Sequence, residues 1–130
     1  MKKYSFDSSR LHFANENTFF SSFNKPYTLY WNIYLKETKE YIGNVDIRSE
    51  NKNFKECEIG YVIGEPFQNN GYATECVDSM IQFMSQHFST IYMNAKFFSS
   101  NEASKRVLEK NNFLVVSSRN GLVRVQRKLL

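Results

Sequence analysis

The sequence has few of the residues that mark disulfide-rich or metal-binding proteins. Its 130 residues include only two cysteines, two prolines and five glycines. Cys57 and Cys76 stand outside any Cys-x-x-Cys or Cys/His ligand spacing, so no metal site is predicted. The two thiols could form a disulfide or serve as nucleophiles, but we favour two small, buried apolar residues in a reducing compartment.

Long apolar runs are also absent. No segment approaches the roughly 20 residues that a membrane-spanning helix needs, and the lysines at the N-terminus are not followed by the apolar stretch of a secretory signal. No repeat, low-complexity stretch or Pro/Gly/Ser-rich linker divides the chain. We therefore expect a cytoplasmic protein without a membrane partner, folded as a single domain over residues 1–130.

The net charge is compatible with two kinds of anionic partner. The formal charge is +4 and the pI is near 9.1, which suits either nucleic acid or a small polyanionic cofactor. The basic residues are dispersed rather than gathered into a tract, which disfavours nucleic acid. A small basic nucleic-acid-binding domain is therefore the least favoured class of function.

Strand signals dominate the first half of the chain. Residues 28–35 are rich in Tyr, Trp, Ile and Leu, and residues 41–48 return after a polar turn, which predicts an antiparallel pair. Gly43 indicates a bulge or a close approach between backbones. The first 27 residues fit either a short strand at residues 10–14 or a helix over residues 13–23.

The middle of the chain predicts a strand, a helix and a second strand. Residues 57–63 alternate between apolar and polar, and residues 73–88 place apolar side chains at helical spacing. Residues 90–97 alternate again. This order predicts a right-handed βαβ crossover with parallel strands.

The last third predicts a capped helix and a hairpin. The helix is expected to begin at a capping box formed by Ser99 and Glu102 and to end at the two asparagines 111–112. Asn120-Gly121 is a strong hairpin signal between the last two strands. The whole pattern predicts an α/β (α+β) fold with a mixed sheet.

The loop between the first parallel strand and its helix carries the chemistry. It reads Gln68-Asn69-Asn70-Gly71-Tyr72-Ala73, and a helix N-terminus offers unpaired N–H groups and a partial positive charge that attract phosphates. Gly71 allows a close approach, and the loop's amide side chains add neutral donors. The sequence is neither a nucleotide P-loop nor a dinucleotide fingerprint. An ordinary strand-to-helix turn fits the same spacing.

These residues resemble the (Arg/Gln)-x-x-Gly-x-(Gly/Ala) pyrophosphate loop of GNAT acetyltransferases. Tyr72-Ala73-Thr74-Glu75 and Glu58-Ile59-Gly60-Tyr61 are similar to segments of the branch that acetylates ribosomal-protein N-termini, the RimJ/RimL-like group. Asn101-Glu102-Ala103-Ser104 and Leu108-Glu109-Lys110-Asn111-Asn112-Phe113 resemble its Asn-x-x-Ser and Leu-Glu-Lys-x-Gly-Phe block. The resemblance implies a mostly antiparallel GNAT sheet with a central βαβ crossover, splayed strands and a C-terminal hairpin.

The resemblance also implies a site for acetyl-CoA between the splayed strands. Asn101 and Ser104 would approach the pantetheine and the sulfur. Glu58 would be the catalytic base, directly or through water, and Ser104 the acid, because Leu108 stands where other branches carry a catalytic tyrosine. The remaining cofactor-binding residues would be Tyr61, Val62 and Ile63 along the pantetheine, and Gln68, Asn69, Asn70, Gly71, Tyr72, Ala73 and Thr74 at the pyrophosphate.

The function implied is acetyl transfer to a primary amine, a protein N-terminus or a small amine, by direct attack in a ternary complex. A CoA-binding module with little catalysis is the alternative, because the lead-in, residues 1–27, is shorter than the strand and two helices usual in the family. The acceptor pocket would then be open, rebuilt, or completed in a homodimer. Glu58, Asn101 and Ser104 could equally be ordinary strand and helix-start residues.

Overall fold

The computed structural model describes residues 3–16 and 26–130, which form one eight-stranded sheet with two helices. The spatial order of the strands is β1-β2-β3-β4-β5-β6-β8-β7. The strands are β1 (Phe6–Asp7), β2 (Leu11–Glu16), β3 (Tyr27–Leu35), β4 (Tyr41–Ser49), β5 (Glu56–Ile63), β6 (Tyr92–Phe98), β7 (Leu114–Arg119) and β8 (Leu122–Lys128). The helices are α1 (Tyr72–Phe88) and α2 (Glu102–Lys110), and a 3-10 turn (Glu65–Phe67) precedes α1.

The pairing directions confirm the predicted mixed, mostly antiparallel sheet. Strands β5 and β6 are parallel and are connected through α1, whereas the other neighbours are antiparallel. The C-terminal hairpin is confirmed as well, and Asn120 and Gly121 at its tip both have positive φ, 53° and 80°. Neither described helix is both long and apolar enough to cross a bilayer.

A single apolar core lies on one face of the sheet. Alternate strand residues are buried together with the apolar stripe of α1, as the two periodicities predict. Cys57 of β5 and Cys76 of α1 are both buried free thiols within this cluster. Burial raises the pKa of Cys57 to about 12, so this thiol stays protonated and acts as an apolar side chain.

The two parallel strands separate after three residue pairs. Strand β5 pairs with β6 only from Glu56 opposite Tyr92 to Glu58 opposite Asn94. Beyond that point β5 remains paired with β4 and β6 remains paired with β8. The predicted splay is therefore confirmed, and it begins immediately after Glu58.

Gly43 satisfies both expectations for a glycine inside a strand. The register of β3 against β4 shifts between Ile33 and Tyr34, opposite Gly43, which is a bulge. A Cβ at Gly43 would also collide with the carbonyl oxygen of Val62 on β5. Gly43 therefore allows β4 to stay close to the end of β5. On its other edge, this same part of β5 has already separated from β6.

Two sequence expectations need correction. The alternative helix over residues 13–23 is wrong for residues 13–16, which belong to β2, while residues 17–25 lie outside the described residues. The capping box of Ser99 and Glu102 is also wrong. Helix α2 begins at Glu102, and the Asn101 side chain accepts a hydrogen bond from the N–H of Ser104. Asparagine one position before the helix reaches the third helical amide, so it displaces the more distant serine.

Candidate active site

A cleft of about 490 Å³ lies beside the end of β5, beyond the point where β5 stops pairing with β6. Its walls come from the end of β5, the loop after it, the first turn of α1, and α2 together with its N-cap residue. All the predicted cofactor-binding residues line it except Asn70. The lining residues are Tyr61, Val62, Ile63, Phe67, Gln68, Asn69, Gly71, Tyr72, Ala73, Thr74, Asn101, Ala103, Ser104, Arg106, Val107 and Lys110.

The N-terminus of α1 opens into this cleft without a side-chain cap. Gly71 occupies the N-cap position with φ of 80° and ψ of 5°, a left-handed conformation that glycine adopts without strain. Its carbonyl accepts the N–H of Glu75 at 3.0 Å, which closes the first helical turn. The first-turn amides have no partner within the helix, and the helix dipole adds to their positive potential. The arrangement is suited to binding a phosphate group.

The polar side chains of the loop bind the loop itself. The Gln68 amide donates to the carbonyl of Ile63 at 2.9 Å, and the Asn70 amide donates to the carbonyls of Phe67 and Gln68 at 3.2 and 3.1 Å. Ile63 ends β5 and Phe67 ends the 3-10 turn, so these hydrogen bonds connect the loop to the two elements before it. The side chains of Gln68 and Asn70 therefore shape the loop, and their predicted role as donors to a ligand stays a prediction.

Tyr61 lines the cleft, and its buried hydroxyl lies near that of Ser104 without a hydrogen bond of regular geometry within the described residues. Burial raises the pKa of the Tyr61 hydroxyl, and the nearby Ser104 hydroxyl opposes that shift. Leaving a buried hydroxyl unpaired costs about 1–3 kcal/mol. A polar ligand group in the cleft would relieve this cost.

Glu58 does not line the cleft. It lies at the edge of the splay in a separate polar pocket of about 310 Å³, which Arg48, Glu56 and Asn94 also line. Its Oε2 is 3.4 Å from Arg48 Nη2 and 3.7 Å from Lys96 Nζ. The structure thus brings Ser104 and Asn101 to the cleft and places Glu58 in the separate polar pocket.

Glu58 belongs to a charged cluster that we define as Asp46, Arg48, Glu58 and Lys96. Arg48 Nε is 2.9 Å from Asp46 Oδ1, close enough for an ion pair although the N–H is not directed as a hydrogen bond requires. Burial raises the pKa of Asp46, Arg48 lowers it, and the Glu58 carboxylate adds to the rise. Gly60 leaves room for the cluster, since a Cβ there would lie 3.0 Å from Arg48 Nη2.

Several residues of the cleft and of the charged cluster were not anticipated from the sequence. Arg106 and Lys110 of α2 line the cleft, and their spacing of four along an amphipathic helix could have identified them as one cationic face. Asp46, Arg48 and Lys96 come from β4 and β6, and only the register of the strands shows that they meet. Within residues 3–16 and 26–130, no group of three or more His, Cys, Asp or Glu side chains could hold a metal ion.

A parallel pair that separates beside an uncapped helix, in an otherwise antiparallel sheet, defines an acetyltransferase-type fold. Residues 2–114 match the family described as "Acetyltransferase (GNAT) domain". Because this match extends over most of the chain, the chain belongs to the GNAT acetyltransferase family. It is 29% identical over 96 residues to the "Uncharacterized N-acetyltransferase YoaA" of Bacillus subtilis (strain 168), covering 74% of this chain and 54% of that protein. The chain therefore spans about half the length of this curated relative.

Solved structures show the same fold at low sequence identity. An acetyltransferase (GNAT family) from Bacillus anthracis superposes with a TM-score of 0.70 at 16% identity, covering 77% of this chain and 66% of that one. Campylobacter jejuni N-acetyltransferase PseH in complex with acetyl coenzyme A gives 0.66 at 18% identity, covering 78% and 67%. RimL, a ribosomal L7/L12 alpha-N-protein acetyltransferase in complex with coenzyme A, gives 0.67 at 20% identity, covering 78% and 62%.

Proposed function

We propose that this chain binds acetyl-CoA in the cleft and transfers the acetyl group to a primary amine. The observation that carries the proposal is the uncapped N-terminus of α1, which opens into the cleft beside the part of β5 that no longer pairs with β6. The cleft volume of about 490 Å³ is within the range of ligand pockets. The Tyr61 hydroxyl lines the cleft without a hydrogen bond of regular geometry within the described residues, which fits a polar ligand with carbonyl or amide acceptors, such as pantetheine.

The proposed binding mode uses the backbone more than side chains. The diphosphate would lie on the amides at the start of α1, and the cations Arg106 and Lys110 on α2 would add favourable charge. The pantetheine would lie along β5 from Tyr61 to Ile63, because beyond Glu58 the β6-facing backbone groups of β5 have no partner in β6. Acetyl-CoA supplies an activated thioester, and a β5 amide at this open edge would stabilise its developing oxyanion.

The proposed chemistry divides between the two pockets. A neutral amine would form the new N–C bond from the side of the polar pocket, and the C–S bond would break on the side of the cleft. Glu58 would take the proton that the amine loses, directly or through water, and Ser104 would donate a proton to the leaving thiolate. This division fits the positions of Glu58 in the polar pocket and Ser104 in the cleft, on either side of β5.

The proposed acceptor is a primary amine, either a protein N-terminus or a small amine. RimL, which has the same fold, is by its name an acetyltransferase of the protein α-amino group. The alternative is a CoA-binding chain with little catalysis, and the contacts of Glu58 with Arg48 and Lys96 favour it, because these cations compete for the carboxylate that a base must offer. A nucleic-acid-binding domain remains a distant third candidate.

Calorimetric titration with acetyl-CoA tests the cofactor. Wild-type protein is expected to bind, and Gly71→Glu is expected to lose binding because the added side chain strains the left-handed position next to Arg10 and its charge repels the diphosphate. Ser118→Glu adds the same charge on the exposed strand β7 and is the matched control. Absence of binding to the wild-type protein would contradict both the enzyme and the CoA-module hypotheses.

Mass spectrometry of amine acceptors tests the transfer. Acetylated peptide or small amine is expected with the wild-type chain, and Glu58→Gln and Ser104→Ala are each expected to lower the rate about 100-fold. Acetyl-CoA affinity is expected to be unchanged in Glu58→Gln, because Glu58 does not line the cleft. Glu109→Gln removes a carboxylate from the exposed side of α2 and is the control for Glu58→Gln, so it should keep the wild-type rate. Binding without any acetylated product would favour the CoA-binding alternative.

A further inference from the structure

Arg10, which directly precedes β2, contacts the loop that connects β5 to α1. Arg10 Nε donates to Glu75 Oε1 at 2.7 Å, and Nη1 donates to the carbonyl oxygen of Asn70 at 3.0 Å. The guanidinium carbon also lies 4.5 Å from the centre of the Tyr72 ring, a cation–π contact. A single residue near the N-terminus therefore contacts the loop residue before Gly71, the residue after it and the first turn of α1.

Glu75 holds Arg10 in this position. Its Oε2 accepts hydrogen bonds from Ser8 Oγ at 2.6 Å and from the backbone N–H of Arg10 at 2.8 Å. Burial raises the pKa of the Glu75 carboxyl, but the hydrogen bonds from Ser8 and Arg10 and the Arg10 charge outweigh burial and lower it. Glu75 is therefore an anion at neutral pH, with only 15% of its side chain exposed. We call Ser8, Arg10 and Glu75 the N-terminal brace.

The brace contacts the loop without lining the cleft. Gly71 lines the cleft, whereas Arg10 and Asn70 do not. Arg10 Nη2 lies 3.3 Å from the position that a Cβ on Gly71 would take. In a trans peptide the C=O and the following N–H point in opposite directions. Because the Asn70 carbonyl points to Arg10, the N–H of Gly71 points away from Arg10.

We propose that Arg10, held by Glu75, is a positioning residue for acetyl-CoA binding. It fixes the peptide between Asn70 and Gly71 so that the amides at the start of α1 are directed to the diphosphate before the cofactor arrives. Preorganisation of this kind raises affinity because the loop need not be ordered on binding. The proposal rests on the proposed function, since acetyl-CoA is the ligand that the loop would receive.

Two substitutions of opposite charge separate positioning from simple electrostatics. Arg10→Gln removes a cation and Glu75→Gln removes an anion near the site of a polyanionic ligand. If only net charge mattered, acetyl-CoA would bind Arg10→Gln more weakly and Glu75→Gln more tightly than wild type. Positioning predicts that both weaken acetyl-CoA binding, each by about tenfold, the scale of a lost charge-assisted contact. The double variant is then expected to be little weaker than either single variant.

Controls restrict the explanation to the brace. Glu102→Gln removes the equivalent first-turn acid of α2 and is expected to change affinity by less than about twofold, the scale of an exposed charge. Arg10→Lys keeps the charge but not the planar fork, so its affinity is expected to be nearer to that of Arg10→Gln than to wild type. Thermal melting of every variant checks that each is folded.

A ligand-free measurement tests the same proposal. Hydrogen exchange of the amides of residues 69–74 is expected to be faster in Arg10→Gln and Glu75→Gln than in wild type and in Glu102→Gln. If wild-type protein binds acetyl-CoA and Glu75→Gln binds it equally or more tightly, the role of Arg10 is refuted and the proposed function stands. If wild-type protein does not bind acetyl-CoA, the proposed function is refuted. The proposed role of Arg10 in acetyl-CoA binding is then refuted as well.

Discussion

Helices α1 and α2 both begin at the edge of the same cleft, but their N-termini are built differently. The N-cap of α2 is Asn101, whose side chain accepts a hydrogen bond from the N–H of Ser104 at 3.1 Å. The N-cap of α1 is Gly71, which has no side chain to offer. A side-chain cap satisfies one of the free first-turn amides, whereas an uncapped helix leaves all of them for a ligand. The comparison indicates that the anion-binding end of the cleft lies at α1.

The largest expected effect comes from a charged side chain at the N-cap of α1. Gly71→Asp places a carboxylate next to Arg10, because a Cβ at this position would lie 3.3 Å from Arg10 Nη2, and aspartate tolerates the left-handed conformation better than most residues. The carboxylate would compete with Asn70 and Glu75 for Arg10 and would repel phosphate, so acetyl-CoA affinity is expected to fall about 100-fold. Calorimetry measures this fall. Gly71→Asn adds a side chain of similar size without charge, so its acetyl-CoA affinity is expected to fall less. If Gly71→Asp binds acetyl-CoA as tightly as wild type, the proposal that the start of α1 binds the anion is contradicted.

Removing the existing cap of α2 is expected to affect stability. Asn101→Ala leaves the N–H of Ser104 without its acceptor, so the free energy of unfolding should fall by about 1 kcal/mol. Chemical denaturation measures this change. Asn101→Asp keeps an acceptor and suits the helix dipole, so it should retain wild-type stability. A loss as large in Asn101→Asp as in Asn101→Ala would show that the hydrogen bond to Ser104 is not the cause.

A smaller effect on stability and affinity is expected from removing the Tyr61 hydroxyl, which lines the cleft. Tyr61→Phe removes Tyr61 Oη, which has no regular hydrogen bond within the described residues. Stability without ligand should stay the same or rise by less than about 1 kcal/mol, because an unsatisfied group is lost. Acetyl-CoA should bind several-fold more weakly if pantetheine pairs with that hydroxyl. A clear loss of ligand-free stability would instead indicate that the hydroxyl is already satisfied.

The smallest expected effect is a difference in acid sensitivity between the first-turn acids of the two helices. The pKa of Glu75 is lowered from its ordinary value of 4.5, so its stabilising contribution is complete above about pH 4.5 and is lost as the pH falls through the lower folded value. Melting temperatures of Glu75→Gln should therefore fall less steeply on acidification than those of wild type. Glu102→Gln should follow the wild-type curve, and parallel curves for all three proteins would contradict this account.

Local patterns predicted the elements with good accuracy. The final strand is observed at residues 122–128 as predicted, and β5 and α1 begin within one residue of the predicted starts. These segments have uninterrupted periodicity and clear turn residues, so neighbouring parts of the chain do not override them. The second helix start was misjudged because Ser99, Asn101 and Glu102 offer competing caps, and sequence alone does not say which side chain reaches a free amide.

The candidate site was predictable to the extent that it is made of backbone. The proposed anion site would consist of peptide groups at Gly71 and in the first turn of α1, so the loop sequence is enough to predict where it would lie. The side chains were less predictable. The hydrogen bonds of Gln68 and Asn70 to nearby carbonyls, and the position of Asn70 outside the cleft lining, are not evident from the loop sequence.

The sequence by itself determined the order of strands and helices and the glycine at the start of α1, because periodicity and left-handed φ are local properties. Tertiary structure alone decided that Glu58 meets Arg48 and Lys96, and that Arg10 reaches Asn70 and Glu75. Those pairings join residues distant in the chain, and they depend on strand register, on the splay after Glu58 and on where β2 begins. Such distances follow from how the whole sheet packs, which no short segment encodes.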